Sequence, residues 1–152
     1  WDMQYPEAAR ELALASADLI ALPTWGWEKI YGVCRAYENS VTVAAAMGIP
    51  FGGHLWDFCD PSCIVNNMGI VLAEATRTGS QIVTAEVDIR AEPAPQYGAE
   101  TRTGMGSMRQ IRASQRRPDT YKLINALWPP LYDRYNTMDT PGRPQPRPQQ
   151  KP

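Results

Sequence analysis

Apolar and polar positions alternate along this chain in short stretches that predict helices and strands. The first predicted helix begins at Pro6, because proline fits the first helical position and Glu7 suits the positive end of the helix dipole. An apolar run predicts a buried strand over residues 18–22, which Pro23 ends. A second helix is predicted over residues 27–39. Its apolar positions follow helical spacing and are Ile30, Tyr31, Cys34 and Tyr37.

The second half of the chain is predicted to be rich in strands. Small and β-branched residues predict a strand over residues 41–46, and the alternation over residues 81–89 predicts the clearest strand of the chain. Between them, two apolar stretches predict a hairpin that turns at Asn66-Asn67, over residues 62–66 and 69–74. Two short helices are predicted to follow, over residues 107–113 and 118–127. This order is typical of a layered α/β (α+β) fold rather than a regular βαβ array.

Composition limits the classes of protein to which the chain can belong. With 152 residues, 43% of them hydrophobic, the chain is long enough for one domain with its own core. A net charge of −1 gives no electrostatic reason to expect a nucleic-acid or membrane partner. We expect neither a membrane helix nor a signal peptide, because no apolar run reaches the roughly 20 residues that a span needs and no charged-then-apolar segment opens the chain.

The two ends of the chain and its cysteines add to this picture. The chain opens on Trp1 rather than Met, so we expect that residue 1 is not the natural start. Five of the residues in 141–152 are proline, which predicts a disordered tail after a domain over residues 1–140. The three cysteines have irregular spacing, which indicates a reducing, cytoplasmic compartment rather than a disulfide framework.

The cysteines are also candidate functional groups. Cys34 occupies an apolar position of a predicted helix, so we expect it in the core. His54, Cys59 and Cys63 form a His-x4-Cys-x3-Cys pattern that could hold zinc, but it supplies no fourth ligand. A nucleophilic Cys63 paired with His54 lacks a third group to orient the histidine. We therefore expect no metal site, and expect His54 and Cys63 to lie in a strand or loop.

A series of short motifs runs in a fixed order from Trp1 to Tyr121. They stand at residues 1–10 (Trp-Asp-Met-Gln-Tyr-Pro-Glu-Ala-Ala-Arg), 17–24, 35–46 (opening with Arg-Ala-Tyr-Glu-Asn), 60–65, 68–75, 84–88 (Thr-Ala-Glu-Val-Asp) and 116–121 (Arg-Arg-Pro-Asp-Thr-Tyr). Each motif alone is weak, but their joint order and spacing resemble the second half of a domain of the carbon–nitrogen hydrolase (nitrilase) superfamily.

The resemblance implies a fold and a reaction. The fold would be a nitrilase-type α-β-β-α sandwich of two packed sheets, incomplete in this chain. The reaction would be hydrolysis of a small-molecule amide, nitrile or N-carbamoyl substrate by a Cys nucleophile, a Glu base and a Lys that stabilises the oxyanion, which leaves amidase, nitrilase and carbamoyl hydrolase open. The family needs no cofactor or metal, and its members are commonly homo-oligomers.

The resemblance also places the catalytic groups outside this chain. The nucleophile would immediately precede Trp1, and the Glu and Lys would lie further upstream, so no catalytic residue is assigned here and the chain alone is expected to be an inactive fragment. The alternative is a different class of protein: a non-catalytic structural or assembly protein, or a degenerate relative without activity. The sequence upstream of Trp1 would discriminate between them.

The remaining site residues follow from the same resemblance. The backbone N–H of Trp1 would help to bind the oxyanion. Trp25 and Trp27 fall at the expected pocket, where they would form an aromatic wall or simply cover the core, and both readings stay open. Two pairs of opposite charge stand three residues apart on predicted helices, Glu7 with Arg10 and Arg35 with Glu38, and we expect both to be structural ion pairs.

Overall fold

The fold of the chain is given by a computed structural model. It describes residues 2–48, 59–77, 79–91, 93–94 and 106–125. The chain forms two compact units, residues 1–116 and residues 117–152. Of the second unit the structure describes residues 117–125, which contain the 3-10 helix Pro118–Thr120. The predicted disordered tail, residues 141–152, lies outside the described residues.

The first unit is a mixed α/β structure, which confirms the predicted fold class. Its elements in chain order are a 3-10 helix Asp2–Gln4, helix α1 (Pro6–Leu14), strand β1 (Leu19–Thr24), helix α2 (Lys29–Asn39), strands β2 (Thr42–Met47), β3 (Cys63–Val65) and β4 (Val71–Glu74), and helix α3 (Met108–Ser114). The four strands form one sheet in the order β1-β2-β3-β4. The β1–β2 pair is parallel, and the other two pairs are antiparallel.

One face of the sheet packs against the helices. Ile20 is in register with Val43, and Val43 is in register with Val65, so three buried apolar side chains lie side by side. The same buried cluster contains Ala9 of α1 and Ala36 of α2. Small residues on the two helices let their backbones approach the sheet closely, and this packing forms the core of the unit.

The opposite face of the sheet is apolar and partly open to solvent. Because successive strand side chains alternate between faces, Leu19, Ala21 and Pro23 point away from the helices, and all three are exposed. Ala46, in register with Pro23, is exposed as well. In a two-layer sandwich, this is the face that a second sheet covers.

Two arginines of helix α3 bind the C-terminus of α2 and the residues directly before β1. Arg109 forms an ion pair with Asp18 and donates to the carbonyl of Ala17 at 2.8 Å. Arg112 donates to the carbonyl of Tyr37 and to Ser40 Oγ at 2.8 Å, and its guanidinium lies 4.5 Å from the centre of the Tyr37 ring. A cation thus stands at the negative end of the α2 dipole.

Several predicted elements are confirmed by the structure. Helix α1 begins at Pro6, and α3 begins after Ser107, whose hydroxyl accepts from the backbone N–H of Gln110 at 3.2 Å. The hairpin β3–β4 turns over residues 66–69, where Asn66 accepts from the Gly69 N–H at 2.9 Å. Gly69 has φ +76, a left-handed conformation that glycine adopts without steric cost.

The apolar face predicted for α2 is wrong. Ile30 and Cys34 are exposed, and the expectation that Cys34 lies in the core is wrong with it. The helix instead buries its small and polar residues, which are Gly32, Arg35, Ala36 and Asn39. Small side chains permit close packing, and the guanidinium of Arg35 and the Nδ2 of Asn39 each donate hydrogen bonds, so hydrophobic spacing selects the wrong side of this helix.

One predicted boundary and two predicted elements are also corrected. Strand β1 continues through Pro23 to Thr24, because an edge strand tolerates a residue without a backbone N–H. Residues 81–89 contain no strand, although Val83, Ala85 and Val87 alternate with exposed neighbours, since a strand also needs a hydrogen-bonded partner. In place of the helix predicted over residues 118–127, the described residues contain only the 3-10 turn and a further turn.

Candidate functional site

A cleft of about 560 Å³ lies between the first residues of the chain and the loop that follows β1. Its lining residues are Asp2, Met3, Gln4, Leu22, Pro23, Thr24, Trp25, Gly26, Trp27, Glu28, Tyr31 and Cys59. The segment directly after Trp1 and the predicted pocket loop therefore come together, although they are separated by about twenty residues in sequence. Trp1 lies outside the described residues, so its oxyanion role stays a prediction.

Trp27 forms part of both the cleft wall and the core. Its side chain is only 5% exposed, and its indole Nε1 donates to the carbonyl of Pro61 at 3.0 Å. The ring lies against Gly32 of α2, where only a residue without Cβ leaves room for it. Trp27 therefore both covers the core and lines the cleft, so the two alternatives considered for it do not exclude each other.

Trp25 differs from Trp27 in its exposure. It lines the same cleft, but 65% of it is exposed to solvent. An indole at this position offers a large flat apolar surface to a bound molecule. Trp25 is therefore the more adjustable of the two aromatic walls, and Trp27 is the fixed one.

The pocket loop is held in place by a hydrogen bond within the loop and by hydrogen bonds to Asp60, which lies ahead of β3. Thr24 Oγ1 donates to the carbonyl of Gly26 at 2.8 Å, and the N–H of Asp60 donates to the carbonyl of Trp27 at 2.9 Å. The backbone N–H of Lys29 donates to Asp60 Oδ2 at 2.6 Å. Glu28, the N-cap residue of α2, makes no capping bond with its own side chain, so Asp60 supplies this cap from a distance.

The ammonium group of Lys29 is turned toward the sheet. Its Nζ donates to both carboxylate oxygens of Glu74 at 2.8 Å, which joins the start of α2 to β4. These hydrogen bonds raise the pKa of Lys29 above its ordinary value. The ion pair is partly exposed, so its contribution to stability is small, but it fixes where the positive charge lies.

Arg35 connects α2 to the segment that follows Trp1. Its Nη1 donates to Glu38 Oε1 at 2.9 Å, and its Nη2 donates to the carbonyl of Gln4 at 3.4 Å. Arg35 is buried, whereas Glu38 is half-buried. The ion pair expected between them is thus present, and Arg35 links it to Gln4, one of the residues that line the cleft. Glu7 lies exposed in the first turn of α1 and Arg10 is half-buried, and their pairing stays a prediction.

The environment of Cys63 does not suit a nucleophile. Cys63 is 1% exposed, and burial, with a smaller effect of Glu74, raises the pKa of its thiol to about 11. A buried neutral thiol of this kind is a poor nucleophile. Cys59 lines the cleft. His54 lies outside the described residues; among those described, no group of three His, Cys, Asp or Glu side chains is arranged to hold a metal.

Two residues that shape the site were not predicted from the sequence, Gly32 and Asp60. Gly32 interrupts an otherwise helical pattern, and an isolated glycine in a helix often marks close packing, so this signal was available. Asp60 gave no such signal, because the N–H that it caps belongs to a helix 31 residues earlier.

Of the helices that the structure describes, none is both long and apolar enough to cross a membrane.

Comparison with known proteins yields structural matches only. The sequence matches no model of a protein family and no curated protein. Among solved structures, the carbon–nitrogen hydrolase from Helicobacter pylori G27 is 23% identical with a TM-score of 0.56, over 82% of this chain and 47% of that chain. The chain is also similar to Nit3 of Saccharomyces cerevisiae, at 23% identity and a TM-score of 0.49, over 72% of this chain and 41% of that chain.

A third match is the NitN amidase from Nesterenkonia sp. AN1, at 29% identity and a TM-score of 0.47, over 58% of this chain and 36% of that chain. The likeness to the Helicobacter pylori hydrolase shows a shared fold, so the predicted nitrilase-type fold is confirmed. This chain spans about half the length of that structure.

Proposed function

We propose that this chain forms the second half of a carbon–nitrogen hydrolase domain of the nitrilase superfamily, which cleaves an amide, nitrile or N-carbamoyl substrate through a cysteine thiolate. One observation carries the proposal: Asp2–Gln4, which would directly follow the nucleophile, lie in the same cleft as Trp25 and Trp27. A nucleophile ahead of residue 1 would therefore stand at the edge of an apolar cleft that is large enough for a small molecule.

The chemistry assigns a supporting role to the residues of this chain. In hydrolysis of an amide, the thiolate adds to the carbonyl carbon, and the leaving amine departs with a proton from a carboxyl group. Water then attacks the thioester and gives up a proton to the resulting carboxylate, which releases the product acid and regenerates both the thiolate and the carboxyl group. The Cys, the Glu and the Lys would come from upstream of Trp1. This chain would supply the wall of the cleft and the brace made by Arg35 and Glu38.

The exposed face of the sheet supports the same proposal. Leu19, Ala21 and Pro23 form an apolar edge of that face, and a second sheet packed on it would complete an α-β-β-α sandwich. The share of the Helicobacter pylori structure that this chain matches, 47%, agrees with one half of such a domain.

We further propose that the complete protein is a homo-oligomer.

The test is to determine the sequence encoded upstream of Trp1, to express it joined to this chain, and to assay the product with amides, nitriles and N-carbamoyl compounds. We expect a Cys directly before Trp1 and turnover that is lost when this Cys is changed to Ala. The matched control is Cys63→Ala, which removes a thiol from the core and should retain turnover. The present chain alone should show none.

Two outcomes would contradict the proposal. Turnover by the present chain that disappears in Cys63→Ala would show that the nucleophile lies within it. A folded, joined protein without turnover on any of the three substrate classes would favour the alternative of a non-catalytic structural or assembly protein.

A further inference from the structure

The cleft has a distinctive distribution of charge. Apolar and aromatic side chains form most of its wall, and these include Met3, Leu22, Trp25 and Tyr31. The charged residues among those described as lining it are Asp2 and Glu28, and both are acidic. A negatively charged ligand would therefore meet two like charges and would find no cation among these residues.

Two features near the cleft could still attract an anion, and each is already satisfied by a carboxylate of the protein. The first is Lys29, which follows Glu28 in sequence, but its ammonium is held by both oxygens of Glu74 at 2.8 Å. The second is the N-terminus of α2, where free N–H groups and the helix dipole favour negative charge. There the carboxylate of Asp60 accepts from the Lys29 N–H at 2.6 Å.

We propose that this cleft selects substrates whose acyl group is flat or apolar and carries no negative charge. The inference rests on the proposed function, since it takes the cleft as the place where the acyl group binds. It narrows the acyl groups that the proposed hydrolase would accept. Amides and nitriles with a neutral aromatic or apolar acyl group fit the cleft. Substrates whose acyl group carries a carboxylate, such as the monoamides of dicarboxylic acids, do not.

Trp25 is the residue that provides the flat contact. It is exposed, lies in the cleft, and is not packed into the core as Trp27 is. Stacking on an indole requires a planar apolar group and is weakened by a nearby negative charge on the ligand, because the face of the ring is itself electron-rich. The aromatic wall and the two acidic residues thus favour the same kind of ligand.

The experiment compares benzamide with benzoate, two probes of nearly the same shape that differ in charge. Binding to the full chain is measured by ligand-observed NMR titration, which needs no catalytic residue. We expect benzamide to bind at least about fivefold more tightly than benzoate, an effect of the size expected for unit charges a few ångströms apart in a partly solvated site. Trp25→Ala should weaken binding of benzamide, and Trp25→Phe should retain most of it.

The role of charge has its own variant and its own control. Glu28→Gln should reduce the preference for benzamide, whereas Glu86→Gln, the same change at an exposed residue outside the cleft, should leave the preference unchanged. Equal or tighter binding of benzoate, or no binding of either probe, would overturn the inference.

The outcome is distinguishable from failure of the proposed function. A joined protein that hydrolyses substrates with a carboxylate on the acyl group best would overturn the inference and leave the hydrolase function standing. If this chain binds benzamide more tightly than benzoate but the joined protein shows no turnover, the result supports the inference about the cleft and counts against the hydrolase function.

Discussion

The ring of Trp27 occupies the space in which residue 32 would carry a side chain. A Cβ on Gly32 would lie 2.2 Å from Cζ3 and 2.5 Å from Cη2 of that ring, far inside van der Waals contact. Because the indole Nε1 is also held by the carbonyl of Pro61, the ring cannot turn aside without losing a buried hydrogen bond. The wall of the cleft is therefore set by the absence of one methyl group in α2.

Gly32→Ala should destabilise the protein, although alanine is the better helix former by about 1 kcal/mol. Overpacking against the ring and loss of the Trp27 hydrogen bond should outweigh that gain, with a net loss near 2 kcal/mol. Urea unfolding followed by tryptophan fluorescence measures the change. Gly106→Ala serves as the control, because its nearest neighbour is a flexible side-chain atom at 3.9 Å. Equal effects of the two substitutions would contradict the close contact described above.

Glu38→Ala should cost about 2 kcal/mol of unfolding free energy. The substitution leaves the guanidinium of Arg35 buried without its carboxylate, and such a loss costs roughly 3–5 kcal/mol when both partners are fully buried. Glu38 is half-buried, which lowers the expected value. The control is Asp119→Ala, which breaks the exposed pair with Arg117 and should change stability by less than about 0.5 kcal/mol. Comparable effects in the two variants would show that the Arg35 pair is not a structural brace.

Stability should fall with rising pH above 9. The folded protein raises the pKa of Cys63 from 9.0 to about 11, so it holds this proton more tightly than the unfolded chain does. The resulting stabilisation is complete below pH 9 and is lost as the pH rises toward 11, at no more than about 1.4 kcal/mol per pH unit. The raised pKa of Lys29 acts in the same direction, but only above its ordinary value of 10.5.

Urea unfolding at pH values from 8 to 10.5 measures this dependence. Cys63→Ala removes the titrating thiol, so its stability should change less over the same range. A slope that is the same in both proteins would assign the effect to other groups.

The exposed face of the sheet should make the chain associate or bind a hydrophobic dye when it is alone. Contiguous apolar surface and open strand edges are the usual causes of such behaviour. Ala21→Lys places a charge on this face and should reduce dye binding, whereas Ala113→Lys, the same change at an exposed position of α3, should not. Sedimentation and dye fluorescence are the measurements. A monodisperse monomer that melts cooperatively and binds no dye would show that the chain closes its own core.

Elements with local signals were predictable from the sequence, and those set by distant contacts were not. Pro6 marks the start of α1, and the turn that ends in Gly69 marks the hairpin, because each signal acts within a few residues. The buried side of α2 was mispredicted, since Gly32 and Arg35 are buried by partners elsewhere in the chain. The strand expected over residues 81–89 has the right alternation, but alternation does not provide a pairing partner.

The candidate site shows the same division. The resemblance predicted that the loop of Trp25 and Trp27 lies at a pocket, and in the structure both residues line one cleft together with Asp2–Gln4. The charge of that cleft was not predictable, because it depends on which carboxylate neutralises Lys29 and on the cap that Asp60 supplies. Both contacts join positions that are more than 30 residues apart, and no spacing rule reports them.

The two caps of α2 have a consequence for the order in which the chain folds. The N-terminus of the helix is capped by Asp60, 31 residues away, and its C-terminal carbonyl at Tyr37 is bonded by Arg112, 75 residues away. A helix of eleven residues that contains glycine, valine and tyrosine is unstable on its own. During synthesis, α2 therefore leaves the ribosome before either residue that binds its ends and becomes stable only after residue 112 has followed it, and any truncation before α3 would leave the C-terminal end of α2 without Arg112.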